Sequence, residues 1–198
     1  MKVLAVIPAR YDSTRLPGKS LADIAGKPMI RWVWEAVVST PGIDCAVIAT
    51  NDARIMKTAE SFGAEAIMTS PSCKNGTERV CEVIENFPAS DIPDFVLNIQ
   101  GDEPLMTPAI LGKFLSSLAS TNSPMATIIA KAEIAELENP STVKVVVDKN
   151  FQALYFSRSP IPYAANDLAP LFYKHIGIYA YRRDFLLQLA TLPQTPLE

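Results

Sequence analysis

A three-layer α/β fold, built on a mixed and mainly parallel sheet, is predicted by three observations. Short continuous apolar runs at residues 3–7, Cys45–Thr50 and Phe95–Ile99 have the character of strands covered on both faces. Segments with helix signals alternate with them, which calls for right-handed crossovers and parallel neighbours. Beyond Pro124 the alternation gives way to closely spaced strands, so antiparallel members join the sheet.

The elements follow in order. Residues 3–7 form the first buried strand, and Pro17-Gly18 marks a turn in the loop after it. Pro28 stands where a first helical residue belongs, with helical character continuing over 29–38. After the strand at 45–50, Asp52 can cap a helix over 53–62, which Gly63 ends. A short strand at 65–68 precedes a loop over 69–76 and a helix over 77–86. The strand at 95–99 is followed by Thr107-Pro108, which opens a helix to about residue 120. Strands are expected at 126–131, 144–148, 153–157 and 174–181, with a hairpin turn at Asp148-Lys149-Asn150 and a last helix over 183–190. Trp32 and Trp34 lie two apart on one helix and cannot share a face, so one belongs to the core and the other near an interface.

Composition limits the function classes. The 198 residues are 48% apolar and 20% charged, an ordinary balance for a globular chain, which excludes disordered and collagen-like chains. A single domain of this length buries roughly 70% of its unfolded surface and needs no covalent staple. Cys45, Cys73 and Cys81 form no CxxC pair, which argues against a disulfide framework or structural zinc and for a reducing compartment. No apolar run approaches the ~18 residues that cross a bilayer. The opening apolar stretch stops at Pro8 and Arg10, too soon for a signal-peptide core, so a cytoplasmic location is expected.

A net charge of −3 disfavours general nucleic-acid binding, and its distribution is uneven. Residues 1–31 carry six Lys and Arg against two Asp, a net +4, which leaves −7 for the remainder. A basic cluster on an acidic chain suggests an anionic small molecule near the N-terminus. Ligands of open α/β sheets bind beyond the carboxyl ends of strands, where residues 8–19 read PARYDSTRLPGK. This is neither the GxGxxG fingerprint nor the P-loop. It supplies Arg10, Arg15 and Lys19, the hydroxyls of Ser13 and Thr14, and Gly18. Those three cations can balance most of a triphosphate's charge, with guanidinium forks gripping phosphate at two points.

Further positions carry chemistry. Asp102 follows the strand at 95–99 in Gln100-Gly101-Asp102-Glu103-Pro104, where a carboxylate is a hard ligand for Mg²⁺, although the same turn could simply cap the next helix. Arg79 falls in the first turn of a helix, against the helix dipole, which hints at a nearby anion. The free N–H groups around Gly76 and Thr77 can meet a ribose or a base.

These segments together resemble one family. PARYDSTRLPGK, Asn75-Gly76-Thr77-Glu78-Arg79 and Asn98-Ile99-Gln100-Gly101-Asp102-Glu103-Pro104 are similar to signatures of the 3-deoxy-manno-octulosonate (Kdo) cytidylyltransferases, as are Lys144 to Asp148, Ala153 to Arg158 and His175 to Arg182. The matches are colinear from residue 7 to residue 182. The resemblance implies a Rossmann-like nucleotidyltransferase fold and a single domain, with residues 1–123 binding CTP and residues 124–198 serving the sugar and dimerisation. It implies that Pro8, Ala9, Arg10, Ser13, Lys19, Gly76 and Thr77 bind nucleotide, and that Arg10, Arg15, Lys19 and Asp102 are catalytic, with Asp102 holding Mg²⁺. It places Arg79, Gln100, Arg158, His175 and Tyr179 at the sugar, Arg158 as the partner of an acidic sugar's carboxylate. A homodimer and a role in lipopolysaccharide synthesis come with the family. So does a further C-terminal segment, with a Glu-Gln pair near the sugar and a late Asp at the metal, which has no counterpart in this sequence. Rival expectations are a CMP-sialic acid synthetase, a CTP-binding chain without catalysis, and a dehydrogenase, the last disfavoured because no GxGxxG follows the first strand.

Overall fold

The computed structural model of the chain describes residues 1–12, 16–163 and 171–193. The elements in order are β1 (Val3–Ala9), a 3-10 turn (Lys19–Leu21), the short strands β2 (Asp23–Ile24) and β3 (Lys27–Pro28), α1 (Met29–Val38), β4 (Cys45–Thr50), α2 (Ala53–Ser61) and β5 (Glu65–Met68). There follow α3 (Gly76–Glu85), a second 3-10 turn (Ala89–Asp91), β6 (Phe95–Ile99), α4 (Pro108–Leu118) and β7 (Met125–Lys131). The chain continues through α5 (Ile134–Leu137), β8 (Lys144–Val147), β9 (Ala153–Ser157), β10 (Tyr173–Arg182) and α6 (Arg183–Ala190). They group into two compact units, Met1–Ala126 with Ile178–Glu198, and Thr127–Gly177.

In the first unit the strand order is β5-β4-β1-β6-β10, parallel except for the last. All seven residues of β1 are buried, as expected of a strand with a neighbour on each edge and helices on both faces. Successive side chains alternate between faces. Leu4, Val6, Val47, Ala49 and Val96 form one core cluster with Val80, Cys81, Val83 and Ile84 of α3, Tyr181 of β10 and Leu186 of α6. Phe185, Leu187 and Leu189 of α6 pack against the same cluster, so that helix contributes to the core. On α1 the buried residues are Met29, Ile30, Val33, Ala36 and Val37, and the helix packs on β1 and β4 and against α4. The parallel strands, α1, α3 and α6 stand where the pattern placed them, with ends within two residues.

Several details depart from expectation. β1 runs through Pro8 to Ala9. Its pairing with β6 ends at Val6 opposite Asn98, whereas pairing with β4 continues to Ala9 opposite Thr50. Proline is tolerated where one neighbouring ladder has already stopped. Pro28 is the residue before α1 and lies in the β2–β3 hairpin, whose turn uses Ala25 at φ 52° and Gly26 at φ 84°. Alanine at positive φ leaves no turn signal in a sequence. Neither tryptophan is a core residue, because both sit at the rim of α1. The Trp32 indole N–H donates to the Ile24 carbonyl at 2.8 Å, and Trp34 lies 5.3 Å from the Phe62 ring.

The second unit is antiparallel. β8 pairs with β9 through a turn in which Asp148 accepts from the Asn150 and Gln152 amides at 2.8 Å, and β8 also pairs with Tyr173 and Lys174 at the start of β10. The short helix α5, which carried no apolar periodicity, is set by a reciprocal capping box between Glu133 and Glu136. Lys144 is fully buried, and its ammonium donates to the carbonyls of Asn139 at 3.1 Å, Thr142 at 2.8 Å and Arg158. Three carbonyl acceptors satisfy all three ammonium protons, the condition for burying a charge. Among the described residues no helix is long and apolar enough to cross a membrane.

Leu97 is wholly buried in β6, between Ala5 and Ala180. Leu97→Ala is expected to cost about 2–5 kcal/mol, seen as a lower urea midpoint with an unchanged slope.

Candidate active site

The carboxyl ends of β1 and β6 and the N-terminus of α3 enclose a cleft of about 270 Å³. Pro8, Ala9, Arg10 and Asp12 line it from the end of β1, and Lys19 and Ser20 from the 3-10 turn. Cys73, Asn75, Gly76 and Arg79 come from the approach to α3 and its first turn, and Gln100, Gly101 and Asp102 follow β6. The wall is mostly polar, which suits a charged ligand better than an apolar one.

Close backbone approach shapes the floor. A Cβ on Gly101 would stand 2.8 Å from Ile30 Cδ1 and 3.1 Å from the Pro8 carbonyl oxygen, so a larger residue would push the buried Ile30 tip aside and press on the β1 backbone. Asn75 caps α3 by accepting from the Glu78 amide at 2.9 Å, and Glu78 accepts in return from the Lys74 amide at 2.8 Å and the Asn75 side chain at 3.0 Å. These bonds hold the first turn of α3 at the cleft wall.

Charge is concentrated here. The Lys19 ammonium meets Asp102 Oδ2 at 2.8 Å, with both side chains partly open to solvent. Arg10 reaches the Lys74 carbonyl through Nη1 at 3.4 Å. Arg79, only 3% exposed, donates to the Thr69 hydroxyl, and among the described residues none of the ion pairs includes it. Glu103 lies beside this group, its carboxyl pushed up first by burial and then by Asp102, with Lys19 opposing. The Cys73 thiol donates to Glu82 at 3.0 Å and is pushed up to about 11, by burial first and then by Glu82, which leaves it no nucleophile at neutral pH.

Of the residues expected to act, the cleft gathers Pro8, Ala9, Arg10, Lys19, Gly76, Arg79, Gln100 and Asp102. Gln100 also donates to Asn98 Oδ1 at 3.2 Å. Thr77 is outside the lining and is hydrogen-bonded to Tyr181, whose hydroxyl is pushed up to about 12, chiefly by burial. Tyr179 stacks on Tyr181 at 6.0 Å. Arg158 and His175 belong to the second unit. There Arg158 Nη1 donates to the Pro140 carbonyl at 2.7 Å, and His175 Nε2 is hydrogen-bonded to Thr127 Oγ1 at 2.9 Å. Ser13 and Arg15 lie outside the described residues. Asp12, Ser20, Cys73 and Asn75 line the cleft without having been singled out. Only Asn75 carried a readable signal, as a capping residue three positions before a glutamate.

Fold and cleft define a nucleotidyltransferase, and the model of the cytidylyltransferase family matches residues 4–198. Over its whole length the chain is 47% identical to the 3-deoxy-manno-octulosonate cytidylyltransferase of Synechococcus elongatus, covering 81% of that protein. Against the enzyme of the same name from Vibrio cholerae (strain M66-2), identity is 48% over 94% of this chain and 76% of the relative. A solved structure of CMP:2-keto-3-deoxy-manno-octonic acid synthetase complexed with CTP superposes with a TM-score of 0.93 at 44% identity, covering 99% of this chain and 80% of that one. A cytidylyltransferase from Leptospira borgpetersenii shares the fold at 16% identity and a TM-score of 0.62. The chain therefore belongs to the Kdo cytidylyltransferase family.

Burial holds the His175 imidazole below its ordinary value of 6.5. The unfolded chain then binds the proton more readily, so the stability His175 contributes is present above pH 6.5 and is lost as pH falls through the lowered folded value. His175 is the sole histidine, so its NMR titration is unambiguous. A folded-state midpoint below 6.5 is expected, with the acid-side stability loss reduced in His175→Asn.

Proposed function

We propose that this chain transfers the cytidylyl group of CTP to Kdo, forming CMP-Kdo and pyrophosphate, in lipopolysaccharide synthesis. The observation that carries the reading is the convergence of Arg10, Lys19 and the buried Arg79 with Asp102 in one polar cleft at strand ends. A buried guanidinium that joins no ion pair among the described residues favours an anionic ligand. Arg10 and Lys19 neutralise the triphosphate, together with Arg15, and the backbone of Pro8, Ala9 and Gly76 lets the nucleotide approach closely. Ser13 and the backbone N–H of Thr77 at the start of α3, its side chain being taken by Tyr181, complete the nucleotide contacts. The anomeric hydroxyl of Kdo attacks the α-phosphorus in line, pyrophosphate leaves, and the cations stabilise the charge that develops. Gln100 and Tyr179 hydrogen-bond the sugar hydroxyls, and Arg79 meets the sugar's negative charge.

Asp102 suits a divalent cation, since its carboxylate is a hard oxygen donor that is partly exposed in the cleft. Among the described residues no group of three or more His, Cys, Asp or Glu could hold a metal, so phosphates of the nucleotide would complete the shell. Bound there, Mg²⁺ would offset phosphate charge and acidify a neighbouring hydroxyl. Lys19, now paired with Asp102, turns its ammonium to the triphosphate when nucleotide enters. A cytoplasmic homodimer fits the exposed apolar side chains of Leu154, Tyr155 and Phe156 on β9, which a second copy would cover.

Pyrophosphate release tests the reading, with CTP, Mg²⁺ and either Kdo or sialic acid as acceptor. Release with Kdo alone is expected, and release with sialic acid alone would reassign the sugar. Lys19→Ala is expected to lower turnover about 10²–10³-fold. Asp102→Asn should shift the Mg²⁺ requirement, and an unchanged requirement would remove Asp102 from the metal.

A further inference from the structure

Two cleft cations, Arg10 and Lys19, flank a short stretch of chain whose ends are pinned together. The Gly18 amide donates to the Tyr11 carbonyl at 2.8 Å, so the residues next to Arg10 and Lys19 are in direct contact. Gly18 has φ 71°, and a Cβ there would meet the Tyr11 ring at 3.0 Å. The Tyr11 ring is thus seated against glycine backbone, and the Arg54 guanidinium carbon lies 3.3 Å from its centroid. Arg54 is itself fixed. Asp52 accepts from its Nε at 2.9 Å and its Nη2 at 2.6 Å, a two-point pair, while also capping α2 through the Arg54 amide at 2.9 Å. The guanidinium beside it holds the Asp52 carboxyl at about 2, so the pair stays ionised at any pH where the protein works.

Arg54 is outside the cleft lining, and the catalytic reading gives it no task. We propose that Arg54 is a positioning residue for the nucleotide: stacked on Tyr11 and forked onto Asp52, it anchors the Tyr11–Gly18 closure, next to which Arg10 and Lys19 stand at the cleft. The anchor runs from the cap of α2 through the tyrosine ring to the Tyr11–Gly18 closure. Its chemistry needs a planar cation, since a guanidinium can stack on a ring and grip a carboxylate at two points whereas an ammonium cannot. The proposal rests on the cleft binding CTP, and it predicts an effect confined to the nucleotide.

The test compares Arg54→Ala, Arg54→Lys, Tyr11→Leu and Tyr11→Phe with the unmodified chain, measuring CTP affinity by calorimetry, KM for CTP and for Kdo, and melting temperature. Arg54→Ala and Tyr11→Leu are each expected to weaken CTP binding and raise its KM about three- to tenfold, the range of a cation–π contact. Kdo KM and melting temperature should hardly move. Tyr11→Phe keeps the ring and should match the unmodified chain, while Arg54→Lys should recover little. The double variant Arg54→Ala with Tyr11→Leu should be no worse than either single one, because both remove one interaction. Unchanged CTP affinity in Arg54→Ala would overturn the proposal. So would full recovery in Arg54→Lys with a harmless Tyr11→Leu, which would mean that Arg54 acts as a bare charge. If the unmodified chain does not bind CTP, the functional reading fails instead, which separates the two failures.

Discussion

The cleft depends on the close approach of two strand ends. Gly101 follows β6 where an added Cβ would stand 2.8 Å from the tip of Ile30 and 3.1 Å from the Pro8 carbonyl oxygen. Because glycine leaves that space to its neighbours, β1 and β6 can end side by side, and their following residues open toward one volume. Lys19 and Asp102 are 83 positions apart and meet there at 2.8 Å. The buried β1, flanked by β4 and β6, supplies the rigidity that holds this geometry.

Electrostatics within the cleft is balanced in a way that favours exchange. The Lys19–Asp102 pair is partly solvated, and such pairs are worth roughly 0–1 kcal/mol. Incoming phosphates can replace it at little cost. Arg79 differs, since it is almost fully buried and held by the Thr69 hydroxyl. Its position in the first turn of α3 sets it against the helix dipole, a local conflict that phosphate or carboxylate charge would relieve.

Much of this was legible in the sequence because the signals were local. The parallel strands announced themselves as unbroken apolar runs, Asp52 and Thr107 sit at helix caps, and the cations after β1 lie within one loop. The hairpin at Asp23 to Pro28 was not legible, because its turn uses an alanine at positive φ that only the surrounding packing enforces. Nor was the course of β1 through Pro8, which depends on where its pairing with β6 stops.

The sequence by itself determined the alternation of strands and helices, the family and the identity of the charged groups, since periodicity, caps and colinear motifs are properties of neighbouring residues. Tertiary structure decided which of those groups share a volume. It brought Asp102 to Lys19, buried Arg79 and Lys144, turned Thr77 to Tyr181 and laid Arg54 over Tyr11. Burial and contact between distant segments follow from how helices and strands pack on one another, and no local pattern encodes them.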